Sequence, residues 1–478
     1  MINNRLCVFV CFISLTLLSG CASASTKASL KKINGLVKNQ IGLNQDLTEP
    51  LSETDTQKEI ESILKYPLTA EGAVKIAVLN NPSLKASLVG LGISRADLMQ
   101  SGLIHNPMFL AKIRESNEDG VKTNTEFEVK QDVTDLLFWP LRKRIANKQF
   151  QQAEYELTKT IVDFIEEVRT QFYVWQGAVE MLSLRKDFYN AQESDWELAQ
   201  RQRQAGNINN LVLAEHKVAW QQAKIELSRS ELENQKAREQ LRNLLGLTSN
   251  EIELKAEGSL PDLLSDEFPL SDLEEQAVEN RLDLAIKRQE IKTLEQALTL
   301  AHLGVIPSVN GGFNTERETD GSRVKGPVFE AEVPIFDHKQ ADRLRIKSQI
   351  EMSQRKFESM EAHARLEVRL AYGQLMTNKE VVKTYLESIP VRREIIKETL
   401  SHYNYMLKGV YDLLRVKQDE VNTCRDYIVA LRDYWVSRSE LEHAIGKILP
   451  MGTPNVPKKQ AAVESIPESE HHHQGDQK

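Results

Sequence analysis

The chain has 478 residues, of which 27% are charged, and its formal net charge is −8 at pH 7. This acidic balance gives no reason to expect nucleic acid as a partner. Beyond residue 21 no uninterrupted apolar run has the length of a membrane-spanning helix, so we expect any further membrane crossing to use β-strands.

The N-terminus is typical of a bacterial lipoprotein precursor. An apolar run covers residues 6–18, and the four residues that end at Cys21 read Leu-Ser-Gly-Cys. Cleavage there would remove residues 1–20 as a signal peptide and leave Cys21 to carry a covalent lipid; we expect no other cofactor. Because Ala22 follows, where aspartate would favour the inner membrane, the outer membrane is the predicted location. An ordinary secretory signal with a chance cysteine is the alternative.

Two flanking segments have few regularly spaced apolar residues. Residues 21–65 are predicted to be a flexible N-terminal segment, and residues 450–478 a disordered tail. The tail contains His471, His472 and His473, and neutral imidazoles bind copper, zinc or nickel. A tail that binds no metal is the alternative.

The remainder of the chain repeats itself at a spacing near 200 residues. The helix start at Asn81 resembles the one at Arg281, and a similar glycine-containing segment surrounds Gly206 and Gly409. Each match is weak by itself. Their common order and nearly constant offset indicate an internal duplication.

The duplication divides the chain into a first repeat over residues 66–249, a linker over 250–269 and a second repeat over 270–449. In each repeat the pattern predicts helices, then a pair of strands, then a long helical hairpin. The strand pairs are expected at about residues 107–133 and 307–335. A proline at the start of each range ends the preceding helix.

Very long helices are predicted over residues 141–205 and 338–408, with Pro140 and Pro334 marking the exit from each strand pair. At 1.5 Å per residue such helices reach about 100 Å. Their apolar residues recur every three or four positions, but Gln, Ser and Glu interrupt the seam. A coiled-coil rod explains this spacing, and so does a wall one helix thick with a wet inner face.

The number of strands has a consequence for assembly. One chain offers four strands, whereas single-chain membrane barrels have at least about eight. Unpaired strand edges find no water in a bilayer, so membrane-spanning strands must close into a barrel. If these strands cross a membrane, several chains must share one barrel.

The lipoprotein signal, the duplicated helix starts, the strand pairs and the turn motifs at residues 205–211 and 408–414 together resemble the TolC family of outer-membrane efflux factors over residues 66–449. The resemblance implies a mainly helical homotrimer. Long helical hairpins would form a periplasmic α-barrel, and four strands per chain would contribute to a shared transmembrane β-barrel. Segments of the second half look most like a branch associated with heavy-metal and copper tolerance.

In that family the chain is the passive exit duct of a tripartite efflux system, for small molecules or metal ions. The implied partners are a periplasmic adaptor protein and an inner-membrane pump. The helix-to-helix turns form the periplasmic tip, where the adaptor docks and the pore is gated. Carried over, the tip residues are Gly206, Leu211, Gly409 and Leu414, and the gate residue is Asp412. A helix-capping role for Asp412 is the alternative.

A lipid-anchored periplasmic coiled-coil adaptor or structural rod without a barrel is the competing class. An adaptor usually carries one central hairpin between β-rich domains, whereas this chain has two equivalent halves. We do not expect an enzyme, because no phosphate-binding glycine loop, His-Glu-x-x-His or paired-cysteine motif occurs in the sequence.

Replacement of the proposed lipid acceptor tests the N-terminal prediction. Cys21→Ser should abolish incorporation of labelled palmitate and leave the precursor uncleaved, because the acceptor thiol is gone. In the wild type, two acyl chains and a diacylglycerol linkage would anchor the protein stably, since one acyl chain alone holds only marginally. Equal palmitate label on the wild type and the variant would refute the assignment.

Overall fold

The computed structural model describes residues 26–42, 53–115, 117–118, 120–247, 253–256, 258–264 and 268–450. The predicted lipid acceptor Cys21 and the three tail histidines lie outside these ranges. Among the helices described, none combines the length and apolar character of a membrane span.

The described residues form ten helices and four strands. In chain order they are α1 Thr26–Ile41, α2 Glu53–Leu64, α3 Ala70–Asn80, α4 Pro82–Ser101, β1 Met108–Arg114, β2 Asn124–Asp132, α5 Val133–Gln204, α6 Asn210–Leu244, α7 Leu270–Asn280, α8 Leu282–Leu303, β3 Ser308–Arg317, β4 Arg323–Glu332, α9 Gln340–Asn404 and α10 Val410–Ile445. The order from α3 to α6 is the same as the order from α7 to α10.

The four strands form one antiparallel sheet in the order β1-β2-β3-β4, so the central β2–β3 pairing joins the two halves of the chain. Successive residues of a strand point to opposite faces. One face carries exposed aromatic rings on all four strands, namely Phe109, Phe127, Phe313 and Phe329. The other face carries paired charges, such as Lys112 Nζ at 3.0 Å from Glu126 Oε2 and Lys130 Nζ at 2.8 Å from Glu128 Oε1.

The strands end close to their predicted limits, but one proline lies elsewhere than expected. Pro140 lies inside α5, which already begins at Val133. Asp132 caps this helix by accepting a hydrogen bond from the Asp135 amide at 2.8 Å. The strong cap starts the helix two turns before the proline, which removes only one amide donor near the N-terminus. Pro334 follows β4, as predicted.

The long helices lie side by side as a wall. Below the sheet the order is α4, α5, α8, α9, and farther from it the order is α6, α5, α10, α9. Within the wall the indole rings of Trp175 and Trp435 are fully buried. Tyr173 stacks on Trp435 at 5.4 Å, and Trp435 donates its indole N–H to the Pro261 carbonyl at 2.8 Å.

The N-terminal segment is packed where the structure describes it, and the prediction of a flexible segment over residues 21–65 is wrong there. Helix α1 buries Ile33, Val37 and Ile41 against the wall. Lys32 forms a 2.5 Å ion pair with Glu154 of α5. The apolar residues recur every four positions, but mostly polar residues separate them, and this weak signal was missed.

Part of the predicted linker is also fixed to the wall. We call residues 258–264 the strap. Gln176 of α5 donates to the Ser259 carbonyl at 2.9 Å, and Glu180 accepts from the Leu260 amide at 3.1 Å. Leu260 and Leu263 of the strap are themselves buried. The strap therefore covers one face of α5.

Each half closes on itself at a glycine. Asn80 donates to the carbonyls of Leu245 and Gly246 at 3.0 and 2.8 Å, and Gly246 has a positive φ of 67°. A Cβ at Gly246 would lie 2.9 Å from the Asn80 carbonyl oxygen. In the second half Gly446, with φ 74°, approaches the backbone of Arg281 in the same way.

Substitution of this glycine should destabilise the first half. Gly246→Ala should lower the free energy of unfolding by about 1–3 kcal/mol, because the backbone angle and the Asn80 carbonyl both oppose a Cβ. Gly90→Ala is the matched control, since a Cβ there meets nothing within 4 Å and the site lies within α4. Thermal unfolding followed by circular dichroism should separate the two variants, and equal midpoints would contradict this account of the junction.

Candidate functional site

Two short turns lie at the end of the wall opposite the sheet. Helix α5 has 72 residues and so extends about 110 Å from the sheet to the first turn. The turns are residues 205–209 and 405–409. They lie side by side, because the Tyr411 hydroxyl at the start of α10 donates a hydrogen bond to the Glu215 carboxylate of α6.

Both turns have the same backbone hydrogen bonds. In the first, the Gly206 amide donates to Arg203 and the Asn207 amide to Gln202, at 3.0 and 2.9 Å. In the second, the Met406 amide donates to the Tyr403 carbonyl and the Leu407 amide to the His402 carbonyl, each at 2.9 Å. This is the Schellman arrangement, which requires a left-handed residue after the helix.

The left-handed residues are Gly206, with φ 80°, and Met406, with φ 59°. Gly409 instead has φ −83° and is the N-cap of α10, so it does not take the backbone conformation of Gly206. The structural counterpart of Gly409 is Asn209, which caps α6 by accepting from the Val212 amide at 3.0 Å. The sequence comparison paired Gly206 with Gly409 because both are glycines. In the structure Gly206 corresponds to Met406, three residues earlier.

The predicted apolar docking residues differ in exposure. Leu211 is 66% exposed at the start of α6. Its counterpart in position is Tyr411, 44% exposed, and not Leu414, which is half-buried next to the buried Leu413. Only one of the two predicted leucines therefore presents its side chain freely at this end of the chain.

Asp412 lies in the first turn of α10 and is half-exposed. Its carboxylate is 3.5 Å from the Arg415 guanidinium, also exposed, and such surface pairs contribute little to stability. An acidic side chain there interacts favourably with the helix dipole. Gly409, rather than Asp412, is the N-cap of α10, so the Asp412 side chain does not serve as the helix cap.

The second turn carries an apolar patch that sequence reasoning missed. Tyr405, Met406 and Leu407 are 75%, 93% and 72% exposed. The first turn has alanine, glycine and asparagine at the same places. Three consecutive large apolar residues where a turn normally has polar ones were the available signal. We call these three residues the tip patch.

The two edges of the wall are also apolar and have no neighbour within the chain. On one edge α6 exposes a residue at every seventh position, namely Leu211, Val218, Ile225 and Leu232. On the other edge α9 exposes a row along its whole length, namely Leu344, Leu366, Leu370, Val391 and Ile395. Closer to the sheet, α4 continues the first edge with Val89, Ile93 and Met99.

Metal ligation has no support in this part of the chain. Within the described residues no group of three or more His, Cys, Asp or Glu side chains is arranged to hold a metal ion. The tail histidines are outside these residues, so metal binding by His471, His472 and His473 stays a prediction.

A known protein family matches most of the first repeat. Residues 73–247 match the family described as outer membrane efflux protein. The chain is 23% identical to the cobalt-zinc-cadmium resistance protein CzcC of Cupriavidus metallidurans over 326 residues, which are 68% of this chain and 76% of CzcC.

Solved structures share the fold. The crystal structure of CusC superposes with a TM-score of 0.68 at 14% identity, covering 79% of this chain and 92% of CusC. The Campylobacter jejuni outer membrane channel CmeC gives a TM-score of 0.67 at 14% identity, covering 86% and 91%. The sheet, the helical wall and the matched segment agree: residues 73–247 match the outer membrane efflux protein family, and the chain has the fold of the solved channels CusC and CmeC.

Proposed function

We propose that this chain is the outer-membrane channel subunit of a tripartite efflux system, a passive exit duct across the periplasm and the outer membrane. The observation that carries the proposal is the two-faced sheet at one end of the helical wall. Its aromatic face suits lipid, and its charged face suits a water-filled interior. The competing rod or adaptor has no use for a sheet that is apolar outside and charged inside.

The sheet also supports a shared barrel. Strands β3 and β4 have 10 residues each, about the length that crosses a bilayer at a tilt. Strands β1 and β4 are the edges of the sheet in one chain, and their free backbone groups require partners in lipid. Three chains, each pairing β4 with β1 of the next, would close twelve strands.

The apolar edges of the wall support the same homotrimer. The α6 edge of one chain faces a different surface, the α9 edge, on its neighbour. Contacts between unlike surfaces generate a ring when the rotation closes. Long apolar rows on both edges would seal the wall of the duct against the periplasm.

The turns at the far end suit partner docking and gating. Exposed apolar residues on the tip patch and at Leu211 are the type of surface that protein partners cover. We assign this end to the periplasmic adaptor, which would connect the duct to the inner-membrane pump. Asp412 from each chain would place a carboxylate ring at the narrow end, where it favours cations.

Substrate and anchoring rest on the comparisons and the N-terminal sequence. CzcC is named for resistance to cobalt, zinc and cadmium, which favours metal ions as cargo here. We propose a lipid on Cys21 as the outer-membrane anchor, no further cofactor and no enzymatic activity.

A charge on the α6 edge should prevent assembly. Ile225→Glu places a carboxylate in the apolar row and should convert trimers to monomers in detergent, because burying an unpaired charge is costly. Arg238→Glu, on the same helix but outside that row, is the matched control and should remain trimeric. Mass measurement in detergent distinguishes the states. A trimeric Ile225→Glu protein would remove the α6 edge from the interface.

Substitutions at the tip should alter conduction in planar bilayers. Tyr411→Phe removes the hydrogen bond to Glu215 that ties the two hairpins together, so the mean conductance should rise. Asp412→Ala removes the proposed carboxylate ring, so cation preference should fall. Lys397→Glu, a charge reversal on the exposed face of α9, serves as a control. Wild-type conductance and selectivity in both tip variants would mean that these turns do not gate the pore.

A further inference from the structure

The wall contains a groove away from both the sheet and the tip. Helix α5 forms its floor with Val174, Gly177, Ala178 and Met181, and helices α6 and α10 form its sides. The cavity has a volume of about 520 Å³, within the usual range for ligand sites.

The groove lies on the side of α5 that the strap does not cover. Gln176 and Glu180 bind the strap, whereas Ala178 and Met181 line the groove. With 3.6 residues per turn, these two rows fall on different faces of the helix. In a closed ring of helices, the covered face is the outside of the tube, and the groove faces the lumen. This placement rests on the proposed function.

The floor of the groove is apolar because a glycine makes room for a long side chain. A Cβ at Gly177 would lie 3.1 to 3.2 Å from the side-chain carbons of Arg432. The aliphatic part of Arg432 therefore lies directly across α5. Together with Met181 and Ile428 it provides a surface for a hydrocarbon chain.

The rim of the groove is cationic. Five basic side chains line it against two carboxylates: Arg185, Arg229, Lys236, Arg425 and Arg432 against Glu226 and Glu233.

Not all of the basic side chains on the rim are equally available. Arg185 is buried and forms a 2.5 Å ion pair with Glu226. Burial lowers the pKa of the Arg185 guanidinium, and the Glu226 carboxylate opposes that shift. Arg229 is exposed and has no carboxylate partner among the residues that the structure describes. Within the described residues, Arg425 and Arg432 pair only with the aspartates that follow them, Asp426 and Asp433, which do not line the groove.

We propose that this groove is a binding site for anionic amphiphiles, meaning molecules with a hydrocarbon chain and a single carboxylate or similar anion. The hydrocarbon chain of the ligand lies on Ala178, Met181 and Ile428, and its anionic group contacts Arg229 and Arg425. A metal cation is not the ligand of this site, because the excess positive charge of the rim repels it. The duct therefore carries a lumenal site for organic anions, one per chain.

The probe series uses the full-length wild-type protein in phosphatidylcholine nanodiscs, with empty nanodiscs as the blank. Equilibrium dialysis with labelled decanoate should give saturable binding at one molecule per chain. Decylammonium, with the same chain and opposite charge, should bind at least about tenfold more weakly, and acetate should not bind measurably. Equal binding of decanoate and decylammonium would overturn the proposal, whatever any variant does.

Charge reversal locates the site. Arg229→Glu combined with Arg425→Glu should weaken decanoate binding by about tenfold or more, whereas Lys397→Glu on α9 should leave it unchanged. Trimer mass is checked for both variants. Unchanged decanoate affinity in the double variant refutes the groove. Conductance is measured separately: a conducting protein that binds no decanoate refutes the groove and leaves the duct, whereas binding without conductance supports the groove and refutes the duct.

Discussion

The pairing of β2 with β3 is the interaction on which the architecture depends. These two strands come from different halves of the chain, and their antiparallel register runs from Thr125 opposite Arg317 to Asp132 opposite Asn310. Backbone hydrogen bonds in a sheet are obligatory in lipid, because no water replaces them. This one ladder therefore fixes the two hairpins in one plane and places α5 beside α8 directly below it.

The same constraint explains why each half is incomplete alone. A two-stranded hairpin is at best marginally stable in water, and four strands still leave two edges. The helices show the corresponding feature, since the α6 and α9 edges keep their apolar rows uncovered. The sheet thus has unpaired strand edges, and the wall has uncovered apolar rows, along the same two borders. This is the expected result when one subunit is a sector of a ring.

Sequence reasoning recovered the order of elements because helix and strand periods differ and prolines stand between them. It failed where local backbone chemistry decided the outcome. The Asp132 cap started α5 before Pro140, and a methionine took the left-handed position that glycine takes in the first turn. Met406 could not be identified by residue type, because the hydrogen bonds of the turn impose its angle. The groove is formed by residues from three helices that are far apart in sequence, so no local sequence pattern indicated it.

The junction between Asn80 and Gly246 has a consequence for the order in which the chain folds. Its partners are separated by 166 residues, so the first half closes only after nearly all of it is available to fold. Contacts of such separation carry a loop-closure cost before they stabilise anything, and they slow folding. Until closure, the strand edges and the apolar rows of α6 are open to other chains. Exposed strand edges and apolar surface make a chain prone to aggregation, so a subunit of this design is most vulnerable before this junction closes.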